Sequence, residues 1–100
     1  MIQVIVLLEA KDADALHTFE KQAIEIVKNH GGKLVAAFEP DARESSSSNI
    51  TEIHYLQFPD IAAFRKYRAD SQHRELSGLR EKAISNTTFF VSGNIKDYEK

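Results

Sequence analysis

The residues in this 100-residue chain whose types and placement suit chemistry are His54, Tyr67, His73 and Arg80. His54 shares the alternation of Leu56 and Phe58, so a strand through Ile50–Phe58 turns all three to one apolar face. Imidazole titrates near neutrality, and in a dry cleft it can take a substrate proton as a general base. The plainer alternative is a buried histidine satisfied by one hydrogen bond. Arg80 carries a planar fork that holds a carboxylate or phenolate better than lysine does. Its alternative is a salt bridge to Asp70, Glu75 or Glu81 that fixes a helix. Tyr67 and Tyr55 each set a phenol beside apolar residues, where it either orients a ligand or ends a core ring in water. His73 and His17 fall in helical stretches, and His73 is the one counted with the polar lining. The cluster Arg65-Lys66-Tyr67-Arg68 has the charge to bind an anion but reads as one solvated face. With Glu9 or Glu52 the histidines form no tight ligand spacing, so neither a metal nor another cofactor is expected.

Composition narrows the classes. One hundred residues fit one domain, with residues 1–93 as its body and 94–100 as a polar tail. A formal charge of −2 supplies no broad basic field, so no nucleic-acid partner is expected. The absence of cysteine removes disulfides, thiolate nucleophiles and zinc ribbons, and it fits a reducing compartment. Ile2–Leu8, the longest apolar run, is far too short to span a membrane and lacks the flanks of a signal peptide. A cytoplasmic protein without a membrane partner is expected.

The elements that must position these residues follow from periodicity. Ile2–Leu8 is rich in β-branched residues and reads as a strand covered on both faces. Asp12 caps a helix whose stripe is Leu16, Phe19, Ala23, Val27 and His30, and Gly31-Gly32 ends it. Lys33–Glu39 reads as a second strand, with Leu34, Ala36 and Phe38 on one face and Val35 and Ala37 on the other. The stretch from Asp41 to Asn49, with the run Ser45–Ser48, is a solvated hairpin connection. Ile50–Phe58 is a third strand, and Pro59-Asp60 starts a helix through Ile61, Phe64 and Tyr67. A break near Asp70-Ser71 precedes a short helix with Leu76, Leu79 and Ala83, weakened by Gly78. Thr87–Ser92 is the fourth strand.

The order β-α-β-β-α-α-β predicts an α+β domain of the split βαβ kind, a four-stranded antiparallel sheet with helices on one face. The sheet's other face should then be polar if it meets water. All four strands instead carry apolar residues at both parities, as in Val4 with Ile5 and Phe89 with Phe90. Two such sheets can cover each other about a two-fold axis, which predicts a homodimer.

The run Phe58-Pro59-Asp60, Arg65, Tyr67, Asp70-Ser71, Leu76, Leu79-Arg80, Ala83 and Gly93, with Asp12 and Gly31-Gly32 upstream, resembles the dimeric α/β-barrel proteins. The similarity is greatest to domain of unknown function 1330, and it covers most of the chain. The resemblance implies a ferredoxin-like fold whose sheets pair as a dimeric α/β barrel, and a function that is largely unassigned. Arg80 falls at the family's arginine. His73 stands where the family usually has an aromatic residue, and Glu39-Pro40 stands where a Glu-Gly pair often follows the second strand. Related barrels include cofactor-free monooxygenases and haem-degrading enzymes. The latter use a tryptophan in the site, and this chain has none, so haem is set aside.

Three functions are carried forward. The first is a small-molecule-binding or enzymatic domain with a cleft between sheet and helices, with His54 as catalytic base and Tyr67, His73 and Arg80 as ligand-binding residues. The second is a cofactor-free monooxygenase or isomerase acting on an aromatic or polyketide-like acid. The third is a non-catalytic dimerisation module. An apolar cleft with converging polar groups favours the first two, and a filled, dry core favours the third.

Overall fold

Nine residues rich in Val, Ile and Leu form β1 (Ile2–Ala10), and Asp12 then opens α1 (Ala13–Asn29). The Asp12 carboxylate accepts from the backbone N–H of Ala15 at 3.0 Å, satisfying one of the helix's orphan donors. Asp14 in the first turn and Lys28 in the last complement the helix dipole. The helix buries Leu16, Phe19, Ala23, Ile26 and Val27 along one stripe. Gly31, at φ 74°, turns the chain out of the helix, a conformation that strains any residue with a Cβ.

The computed structural model describes residues 1–47 and 49–99; Ser48 of the serine run and Lys100 of the tail lie outside the described residues. β2 (Lys33–Phe38) and β3 (Glu52–Phe58) follow α1, and Asp60 caps α2 (Ile61–Ala69) by accepting from the N–H of Ala63 at 2.8 Å. The single helix expected next is two: α3 (Ser71–Glu75) and α4 (Ser77–Ala83), parted at Leu76. Asp70 caps α3 through the N–H of Gln72, whereas α4 has no side-chain cap. β4 (Ile84–Val91) starts directly after α4, three residues before the start that the sequence suggests. Ser85 is bulged out of its ladder with β1, which hides the early pairing from a strict alternation. Residues 92–99 carry no helix or strand.

The sheet has the order β2-β3-β1-β4, with every pair antiparallel. Helices cover one face. Val4, Leu56 and Phe58 pack with Val27 of α1 and Phe64 of α2, while Leu8 packs with Leu16 and Phe19 of α1 and Ala83 of α4. Register lines up side chains in rows across the strands. On the helix side, Phe89 of β4, Val6 of β1 and His54 of β3 form one row, and Thr87, Leu8 and Glu52 form the next. On the opposite side the rows are Phe90–Ile5–Tyr55 and Thr88–Leu7–Ile53.

One face assignment from the sequence is corrected. A register shift between Leu34 and Ala36 leaves Val35 without a partner on β3. Leu34 therefore pairs with Leu56 on the helix side, while Ala36 and Phe38 pair with Tyr55 and Ile53 on the open side. One extra residue in a strand reverses the parity of everything beyond it.

Candidate functional site

The two apolar clusters flank Val6, and a cavity of about 320 Å³ opens there between sheet and helices. His54 reaches it from β3, Tyr67 from α2, His73 from α3 and Arg80 from α4. The structure thus brings the four sequence-selected residues to one cavity from four elements. Glu20, Arg68 and Thr87 complete the polar lining. Much of the remaining wall is apolar, including Phe19, Ile24, Phe64 and Phe89.

His54 is buried, with both ring nitrogens facing carboxylates. Its Nε2 lies 2.6 Å from Glu52 Oε1, and its Nδ1 lies 3.4 Å from Glu20 Oε2. Burial pushes the Glu20 carboxyl above its ordinary range. The nearby His54 and Arg80 pull it back, while Glu52 pushes it further up. Glu52 is the shorter and firmer contact.

Tyr67 packs against Phe58 at 5.2 Å between ring centroids and meets His73 edge-on at 4.6 Å. Burial pushes its phenol up to about 12, with Glu20 adding to the effect and Arg80 opposing it, so at neutral pH it stays a hydrogen-bond donor. Burial lowers His73 below its ordinary range, and Arg80 and His30 add to this against the opposing pull of Asp70. The Nε2 of His73 is buried with no hydrogen-bond partner among the described residues. Beside it, His30 Nε2 and Asp70 Oδ2 lie 2.7 Å apart, tying the end of α1 to the junction of α2 and α3. That bond holds the Asp70 carboxyl below its ordinary range.

Arg80 is not the helix brace that its acidic neighbours suggested. Its Nη2 donates to Thr87 Oγ1 at 3.4 Å, and among the described residues it has no ion pair. Arg68 is exposed, as the sequence suggests, and lays its guanidinium 4.8 Å from the centroid of Phe89 and 5.7 Å from that of Phe64. Its neighbours Arg65 and Lys66 are exposed. His17 is exposed and is not part of the cavity lining. Tyr55 lies on the opposite sheet face, where its hydroxyl donates to Gln3 Oε1 and Gln57 donates to the same oxygen at 2.9 Å. Among the described residues no group of three or more His, Asp or Glu side chains is arranged to hold a metal ion.

Sequence reasoning missed Glu20 and Thr87, yet each left a signal. Glu20 stands four residues after Leu16 and four before Ile24, inside the stripe that α1 turns to the sheet. Thr87 shares the parity of Phe89.

The chain matches the family described as Domain of unknown function (DUF1330) over residues 3–94. No curated protein matches it in sequence. Among solved structures it is similar to a dabb family protein with a ferredoxin-like fold from Mesorhizobium loti. That pair is 16% identical, with 95% of this chain and 97% of the other covered and a TM-score of 0.71. A dimeric protein of unknown function and ferredoxin-like fold from Bacteroides fragilis is 9% identical, covering 91% and 93% of the two chains at a TM-score of 0.66. SnoaB, a cofactor-independent oxygenase from Streptomyces nogalater, is 10% identical, covering 99% and 97% at a TM-score of 0.67. These likenesses concern the fold. The match over nearly the whole sequence places the chain in the DUF1330 family, and the order of its strands with helices on one face is a ferredoxin-like fold.

Proposed function

We propose that the protein binds a small molecule in the cleft between sheet and helices and works as a homodimer in the cytoplasm. The observation that carries the binding reading is the cavity itself. It has apolar walls, a volume at the lower end of the range for ligand pockets, and His54, Tyr67, His73 and Arg80 converging on it from four elements. Two of these groups, Tyr67 and His73, have protonation displaced by burial, as site residues often do. A purely structural core would not leave that space.

A second reading is cofactor-free base catalysis, favoured by one arrangement. His54 is held by Glu52 at 2.6 Å, the way a carboxylate orients a catalytic imidazole, while its other nitrogen faces the cavity side through Glu20. The cofactor-independent oxygenase among the similar structures lends this reading support by analogy of fold alone.

Thermal-shift screening against a panel of small aromatic and aliphatic acids, alcohols and esters tests the binding reading. Saturable stabilisation by at least one compound is expected, and Thr87→Trp, which fills the cleft from its rim, should abolish it. Stabilisation by none of them, or equal stabilisation of the filled variant, would overturn the reading.

A further inference from the structure

We propose that the cleft takes an aromatic acid carrying a hydroxyl at the far end of its ring from the carboxylate. This rests on the reading of the cavity as a binding site and adds the polarity of its occupant. Sheet register sets two poles. At the β4 edge, the Arg68 guanidinium lies over Phe89 and Arg80 reaches Thr87. Phe89 and Thr87 are same-face neighbours two residues apart, hence about 7 Å from each other along the strand. A carboxylate seated between the two guanidiniums can take hydrogen bonds from both. Neither has an ion-pair partner among the described residues, although the charge of Arg80 is felt by Glu20 across the cleft.

The rows from these two residues end two strands away, roughly 10 Å across the sheet, at His54 and Glu52. Glu20 stands over His54 from α1. That end is rich in carboxylate oxygens and repels a second anion, but it accepts a hydrogen bond from a hydroxyl. Between the poles the floor is Val6 and Leu8, and Phe19 and Phe64 are also in the lining. Such walls suit a flat ring. The ligand's charge is therefore set at β4 and its donor at β3. An acid with its hydroxyl beside the carboxylate would leave one pole unmet.

Titration calorimetry on the full chain tests this with 3-(4-hydroxyphenyl)propionate, its methyl ester, 3-phenylpropionate and tyramine. The hydroxy acid should bind about tenfold or more tighter than either the ester or the ring without hydroxyl, since each lacks one charge-assisted hydrogen bond. Arg80→Gln should erase the preference for acid over ester, and Glu20→Gln the preference for the hydroxyl. Equal binding of acid and ester, or tightest binding of tyramine, would overturn the assigned polarity and leave the binding reading standing. If none of the four binds while the thermal-shift screen finds another ligand, the polarity alone fails. If both experiments are silent, both readings fail.

Discussion

Glu20 puts a carboxylate where α1 otherwise buries apolar side chains, and its cost follows from its surroundings. Its side chain is mostly shielded from water, and burial raises its pKa above the ordinary 4.5, the Coulombic pull of His54 notwithstanding. A raised folded pKa means that the folded state holds its proton more tightly than the unfolded chain. Its relative contribution to stability is therefore most favourable below pH 4.5 and is lost as pH rises through the folded value. Glu20→Gln should remove that loss. At pH 7 the variant should be more stable by about 1 kcal/mol, a few degrees in Tm for a domain of this size. The gain should vanish towards pH 4. Thermal unfolding followed by circular dichroism at several pH values checks both statements. A less stable variant at pH 7 would show that the contact with His54 outweighs desolvation. A residue that costs stability and faces a cavity is what a binding site produces, because natural chains keep such groups for use rather than for folding. At this scale the sequence was readable where a residue type is unusual for its position: a histidine sharing the face of Leu56 and Phe58 on β3. Arg68 was not, because nothing in the run Arg65-Lys66-Tyr67-Arg68 tells which of its cations lies over Phe89.

Elements hold the site in place through two glycines with opposite demands. Gly32 follows the helix stop at Gly31, and a Cβ built on it would lie 2.7 Å from both the Phe58 ring and Val27. Both neighbours are among the most buried side chains in the protein, so neither can retreat. Gly32→Ala should therefore destabilise by about 1–3 kcal/mol through overpacking. Gly78 lies in α4, where an added Cβ would meet nothing within 4 Å. Gly78→Ala should stabilise by up to about 1 kcal/mol through helix propensity. Chemical denaturation of the two variants beside the parent checks the opposite signs. If Gly32→Ala is not destabilising, packing at Gly32 is looser than its neighbours indicate. The element boundaries show how far periodicity reaches. The stripe of α1 and the caps at Asp12 and Asp60 were legible because each rests on contacts within one turn. The bulge at Val35 was not, because it appears only in the pairing with β3, a strand distant in sequence.

The whole molecule is a slab, 17 Å in its shortest extent, with one sheet face under helices and the other bare. Its radius of gyration of 14.4 Å exceeds the roughly 13 Å of a compact domain of this length. The bare face is not built for water. Phe90 and Phe38 are exposed by 58% and 51%, and Ile5, Leu7, Ile53 and Tyr55 lie between them on the same face. Gln3, Tyr55 and Gln57 satisfy one another there by hydrogen bonds, so their burial would leave few polar groups unpaired. A second copy offers the matching apolar surface, and a two-fold pairing needs no other partner. Phe90→Glu should break it. The substitution enters an isologous interface twice, and each carboxylate would have to leave water without a counter-charge. Sedimentation of the parent at tens of micromolar is expected to give a dimer, and of the variant a monomer with an unchanged far-ultraviolet spectrum. A parent that sediments as a monomer would remove the dimer from the proposal. Because the cleft lies on the helix side, a monomeric variant that still binds ligand would show that each protomer carries a complete site. One that folds but no longer binds would show that pairing of the sheets holds Val6 and His54, on the two central strands, in their places.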